Sequence, residues 1–264
     1  MPELQVVVIL VGVIFMARWL ESIMGFGGTV LALPALAILT PGLHVTETLV
    51  PVLALGNIVC CIGIVWVGHK DLVWKEYGII LLWAILGLPL GFWLAGYAPE
   101  SILRLILGAF VLVVAVANIA QMWKPDTEIE IPQGALTRFL LRLALVIGGI
   151  VHGMFTTGGP LLVIYATKAL RTKGLFRVTL GLVWLTLNTI MVAGWMLDGR
   201  IAAHVWPLTG ITVPFIIMAV IVGDHFHHRI PEVLFRKAAY VLLLLAGVSL
   251  IWKSLPQVLQ AQWI

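Results

Sequence analysis

Apolar runs about as long as a bilayer is thick recur along the whole chain, separated by short polar or glycine-rich interruptions. Residues 4–24 form the first, and about 20 residues of helix are enough to cross a hydrocarbon core. Gly25-Phe26-Gly27-Gly28 interrupts it, and a shorter apolar piece over 29–39 ends at Thr40-Pro41-Gly42. That piece is too short to cross alone. Further spans are predicted over 48–67, 77–97 and 101–123. The most polar stretch of the chain then runs from Lys124 to Gly134 and reads as a linker. After it the pattern repeats. Residues 139–155 are apolar and break at Thr156-Thr157-Gly158-Gly159-Pro160, a short piece covers 161–170, and spans follow over 178–197, 201–222 and 233–252.

Residue identities repeat with the pattern. At an offset of 131, Gly27-Gly28 meets Gly158-Gly159, Thr48-Leu49 meets Thr179-Leu180, Asn57 meets Asn188 and Gly63 meets Gly194. At 132, Gly91 meets Gly223, Pro99-Glu100 meets Pro231-Glu232 and Arg104 meets Arg236. An ordered series that includes Asn, Pro-Glu and Arg points to an internal duplication, a signature of many transporter folds. The expected organisation is a first transmembrane repeat over 1–123, a polar linker over 124–136 and a second repeat over 137–264.

Composition excludes a soluble protein. Of 264 residues, 61% are hydrophobic and 11% charged, against about 25% charged in a soluble domain. Mean hydropathy is +1.10. The basic balance, with a pI near 9.3, therefore reads as positive charge holding cytoplasmic loops rather than as nucleic-acid binding. Treating each Gly-Gly break as a hairpin tip, with the N-terminus outside, puts twelve basic residues on the inner side and three outside. The inner set is Lys70, Lys75, Lys124, Arg138, Arg142, Lys168, Arg171, Lys173, Arg177, Arg229, Arg236 and Lys237; Arg104, Arg200 and Lys253 are outside. If each broken region were a single crossing, the count would be eight against seven. Charge thus selects two inverted halves with a cytoplasmic linker. The first run is expected to stay in the mature protein, because Glu3 occupies the position of a basic n-region and no cleavage pattern follows. Adjacent Cys60 and Cys61 provide neither a disulfide framework nor a zinc site.

In the inverted arrangement the two breaks approach from opposite sides, and the half-length helices after them aim their N-termini at one point. Free N–H groups and two positive dipole ends suit an anion. Glycine admits close approach, so Gly27, Gly28, Gly158 and Gly159 are candidate binding positions, with Thr29, Thr156 and Thr157 as hydroxyl donors beside them. Asn57 and Asn188, at matched depths, are ligand candidates or interhelical hydrogen-bonding residues. Arg18, Glu21 and His152 are ionisable residues inside the membrane and count as functional candidates. Arg18 and Glu21 stand three apart on one helical face and can pair, while Glu21 aligns with His152 at the 131 offset, a pairing suited to proton coupling. The cluster His225, His227 and His228 beside Asp224 reads as a solvated loop rather than a metal site. No nucleophile elbow, membrane-embedded aspartate dyad or phosphate-binding loop is present, so no enzyme and no ATP motor is expected.

Met24-Gly25-Phe26-Gly27-Gly28-Thr29, echoed by His152-Gly153-Met154-Phe155-Thr156-Thr157-Gly158-Gly159-Pro160, resembles the TauE/SafE family of sulfite exporters. The likeness runs through the duplicated halves, the acidic linker and the spacing of the spans. It implies an inner-membrane carrier for sulfite, small organosulfonates or related sulfur anions. The expectation is therefore an all-α polytopic membrane protein of two inverted repeats, each a Gly-broken helical hairpin plus three transmembrane helices. Its partners would be a small sulfur-containing anion and the bilayer, with a homodimer allowed and no nucleic acid, cofactor or metal. Uptake of the same anions and a passive channel are the alternatives.

Overall fold

The computed structural model describes residues 4–122, 134–157, 159–170, 172–226 and 232–261. Gly158, His227, His228 and most of the polar linker lie outside them. The described residues form ten α-helices and no strand: α1 (Leu4–Met24), α2 (Gly28–Leu39), α3 (Val50–Gly68), α4 (Trp74–Tyr97), α5 (Glu100–Met122), α6 (Ala135–Phe155), α7 (Gly159–Ala169), α8 (Lys173–Leu197), α9 (Val205–Phe226) and α10 (Glu232–Ala261).

Among the described residues, seven helical segments are long and apolar enough to cross a membrane. Their outer surfaces agree with that. Leu82, Leu86, Ile147, Ile217 and Ile221 are exposed, and exposed aromatic residues gather near helix ends: Trp66, Trp74, Trp93 and Tyr97. In water such a surface would aggregate; in a bilayer it is an acyl-facing belt with interfacial anchors. The protein is an all-α polytopic membrane protein.

Some boundaries differ from the sequence pattern. The span predicted over 48–67 is lengthened by a π turn at Val45–Leu49 and a 3-10 turn at His69–Asp71. Glu100 explains the early start, because its carboxylate accepts from the Val45 N–H (2.7 Å) and the Thr46 hydroxyl (3.2 Å). α9 starts four residues later than hydropathy predicts, after a turn in which Gly199 takes a left-handed φ of 65°.

The tightest helix crossing joins α4 and α6. Gly87 and Gly91 on α4 face Gly149 and Gly153 on α6, so each helix carries a G-x-x-x-G seam. A Cβ at any of the four would overlap the opposing backbone: the carbonyl oxygens of Val146, Ile150, Ala84 and Leu88 respectively. α1 packs on α9 in an equivalent way. Gly223 lies against the Trp19 carbonyl and Ser22, and Gly91 lies against the Ile150 carbonyl and Gly153. Trp19 and Ile150, like Ser22 and Gly153, are 131 apart. α3 and α8 cross at the centre of the molecule, and α5 pairs with α10.

Polar ties hold both ends of α9. At its start the Thr48 hydroxyl meets His204 Nε2 at 2.8 Å. At its far end the buried Arg177 guanidinium of α8 donates to Asp224 Oδ1 (2.8 Å) and Ser22 Oγ (3.4 Å).

Candidate functional site

Both hairpins turn on a residue in the left-handed region. Gly25 ends α1 at φ 81° and Thr156 ends α6 at φ 55°, and the two are 131 apart. Their N–H groups close the same turn, Gly25 onto the Glu21 carbonyl (2.6 Å) and Thr156 onto the His152 carbonyl (2.7 Å). Gly tolerates that conformation; a β-branched threonine does not adopt it without about 1–3 kcal/mol of strain. The fold holds Thr156 there with its hydroxyl buried. Gly27 adds a second left-handed residue at φ 93° and precedes α2 without any side-chain cap. The first N–H groups of α2 therefore have no intrahelical acceptor.

The two tips meet. A Cβ on Gly159, the first residue of α7, would lie 3.8 Å from Val30 of α2 and 3.8 Å from the Trp184 ring. Between the tips is a cavity of about 20 Å³. From the first half it is lined by Glu21, Gly27, Thr29, Val30 and Asn57, and from the second by His152, Thr156, Thr157, Gly159, Trp184 and Asn188. It has room for about one water molecule.

A chain of hydrogen bonds crosses the wall of this cavity. Arg18, fully buried, donates to Glu21, to Thr29 Oγ1 (3.2 Å) and to the Leu53 carbonyl (2.7 Å), tying α1 to α2 and α3. Glu21 accepts from Asn57 Nδ2 at 2.8 Å. Asn57 Oδ1 in turn accepts from Asn188 Nδ2 (2.8 Å) and Cys61 Sγ (3.2 Å), and Asn188 Nδ2 also donates to the Trp184 carbonyl (2.9 Å). Arg18 Nε is left without a partner, and the second half holds more such atoms. Both ring nitrogens of His152, the hydroxyls of Thr156 and Thr157, and Asn188 Oδ1 are buried without a hydrogen-bond partner. Five unpaired polar atoms around one cavity cost several kcal/mol unless a ligand or water meets them.

The structure thus gathers Glu21, Gly27, Thr29, Asn57, His152, Thr156, Thr157, Gly159 and Asn188 around one space, with Arg18 behind Glu21. Gly28 is placed otherwise. A Cβ there would press into α1, against the Glu21 carboxylate and 2.8 Å from the Ala17 carbonyl, so Gly28 packs α2 onto α1 behind Glu21 and is not itself a lining residue. Trp184 is a lining residue that sequence reasoning missed. Its ring stacks on His152 (5.7 Å between centroids, 16° between planes) and its Nε1 donates to the Gly25 carbonyl at 3.2 Å. Its place four residues before Asn188, on the same face of α8, was the available signal.

Two broken hairpins whose tips enclose a polar cavity within a bundle of membrane-crossing helices define the architecture of a membrane transporter. The family model described as "Sulfite exporter TauE/SafE" matches residues 10–250, and the chain belongs to that family. It is 26% identical over 182 residues, 69% of its own length and 73% of the relative's, to the "Probable inner membrane transporter protein TsaS" of Comamonas testosteroni. No solved structure matches the chain.

Proposed function

We propose that this protein is a secondary carrier that exports sulfite or a small organosulfonate across the inner membrane by alternating access. The observation that carries the reading is the set of unpaired buried atoms at the meeting point of two half-helix N-termini. Imidazole and hydroxyl groups supply directional donors, and the helix ends supply positive potential without a mobile cation. The family's description, a sulfite exporter, supports export as the direction and sulfite as the substrate.

The cavity is too small for a sulfur oxyanion, and polar ties hold both ends of α9. Such a structure reads as a closed intermediate, in which the tips must part before an anion enters from either side. The equivalent crossings of α1 on α9 and α6 on α4 support two repeats, and the distribution of basic residues supports their inversion with the N-terminus outside. Cysteines introduced near His44 and near Lys173, both exposed, are then expected to label from opposite faces of sealed cells. Labelling from one face would rule out the inversion.

The direct test is sulfite counterflow in proteoliposomes. A carrier shows uptake stimulated by internal sulfite; a channel shows no such stimulation. Gly159→Leu should abolish both binding and counterflow, because its Cβ would touch Val30 and Trp184 and the rest of the side chain would occupy the cavity. Thr157→Val should weaken binding by roughly 5- to 100-fold by removing one buried donor. If folded Gly159→Leu binds sulfite as the wild type does, the anion does not sit at these tips.

A further inference from the structure

The hydrogen-bond chain in the cavity wall has a direction, and that direction constrains the ligand. Glu21, paired with Arg18, presents a carboxylate oxygen, which can only accept. The Asn57 amide must therefore turn its Nδ2 toward Glu21 (2.8 Å) and its Oδ1 away. That oxygen requires a donor, so Asn188 must turn its Nδ2 toward Asn57 (2.8 Å), where the same nitrogen also reaches the Trp184 carbonyl (2.9 Å). Flipping Asn188 would set its oxygen against two acceptors; flipping both amides would set Asn57 Oδ1 against Glu21. The carboxylate at one end thus fixes both amides in series.

What remains is Asn188 Oδ1. It is an acceptor only, on a residue 1% exposed that lines the cavity, and it has no partner. Around it the titratable side chains are Arg18 and Glu21 from α1, Cys61 from α3 and His152 from α6. Arg18 and Glu21 cancel in charge. His152 lies close enough to Asn188 for the two side chains to interact, although neither ring nitrogen reaches hydrogen-bond geometry with it. A fully ionised oxyanion offers only acceptors and would set an oxygen against Asn188 Oδ1 in a site of no net charge.

We infer that the cavity selects an anion carrying its own hydrogen-bond donor, a singly protonated oxyanion such as hydrogen sulfite, and that Asn188 is the residue that reads the proton. This rests on the anion-site reading above. Thr156, Thr157 and His152 donate to the anion's bare oxygens, and the anion's O–H donates to Asn188 Oδ1. Sulfate, fully ionised at neutral pH, is excluded by the same oxygen. A site built around a hydrogen bond rejects an analogue that lacks the group far more strongly than an apolar site rejects an extra hydroxyl.

The test compares two pyramidal monoanions of nearly equal size, hydrogen sulfite and methanesulfinate, which replaces the O–H by a methyl group. Binding is measured by calorimetry on the full chain in lipid nanodiscs, from neutral to alkaline pH. Methanesulfinate should bind about 10- to 100-fold more weakly than hydrogen sulfite and with a flat pH profile. Affinity for total sulfite should fall about tenfold per pH unit once the dianion dominates. In Asn188→Leu the preference for hydrogen sulfite should shrink to a few-fold. Asn57 Oδ1 keeps its Cys61 donor there, so the substitution orphans little else. Should that variant fail to fold, the two-anion comparison on the unaltered chain decides alone. Equal affinity for the two anions, as would follow if His152 shifted to donate to Asn188, overturns the inference and leaves the anion site standing. So does sulfite affinity that persists at alkaline pH, or a methanesulfinate profile that falls in parallel with that of sulfite. Binding of neither anion overturns the anion-site reading itself, and the inference with it.

Discussion

Arg18→Met is expected to destabilise the protein by about 3–5 kcal/mol, the cost of leaving a buried partner charge uncompensated. The guanidinium is fully buried and its donors go to the Glu21 carboxylate, Thr29 Oγ1 and the Leu53 carbonyl, three elements at once. Removing it leaves the Glu21 carboxylate bonded to the Asn57 amide without its cationic partner and frees the joint between α1, α2 and α3. The double variant Arg18→Met/Glu21→Gln should recover much of the loss, because no charge is then buried at this joint and Gln retains an acceptor for Asn57. Thermal unfolding of wild type, both single variants and the double variant in one detergent gives the coupling directly. A double variant no more stable than Arg18→Met would show that the pair is not the source of the cost. Sulfite binding by the double variant should remain impaired even where stability returns, because Gln can also donate and no longer fixes the direction of the two asparagines.

The second large effect is expected at the seam between α4 and α6. Gly149→Val should prevent recovery of folded protein, and Gly149→Ala should cost about 1–3 kcal/mol or more. The reason lies in what the new Cβ would meet. At Gly149 it is the backbone of Ala84, and backbone cannot rotate aside as a side chain can. Relief requires the two helices to separate, which loosens Gly87, Gly91 and Gly153 with it. Gly12→Ala is the matched control, since a Cβ there meets nothing within 4 Å in the middle of α1. That variant should be neutral or slightly stabilised by better helix propensity. Yield of monodisperse protein and melting temperature check both. A well-folded Gly149→Val with an unchanged melting temperature would mean that the crossing is looser than the geometry shows.

The consequence for function runs through these two joints. α6 ends in the turn that holds His152, Thr156 and Thr157, and α1 ends in the turn that holds Glu21 and Gly25. Each tip is therefore positioned by a long helix packed closely on a helix of the other half, α6 on α4 and α1 on α9. Movement that opens the cavity must shift a hairpin relative to such a seam or carry the seam with it.

Hydropathy alone determined the membrane class, the breaks at Gly25–Gly28 and Thr156–Pro160 and the short helices after them, because transfer of apolar residues and the conformational freedom of glycine are local properties of the chain. The offset of 131 likewise picked out positions that the fold makes equivalent, such as Glu21 with His152 at the two closing turns. Tertiary structure decided the rest. Gly28 and Gly159 occupy matched sequence positions, yet one packs against a carbonyl and the other borders the cavity, since the partner helices differ. Asn57 and Asn188 also bond within their own helices, with Cys61 and Trp184; only the crossing of α3 and α8 joins them to each other, and only Glu21 gives the pair its polarity. Beside the cavity, the Glu21 carboxylate and the Asn57 amide of the first half are paired, while His152, Thr156, Thr157 and Asn188 Oδ1 of the second half are not. Hydrogen-bond satisfaction depends on pairs of groups brought together from distant parts of the chain, so no local pattern encodes it.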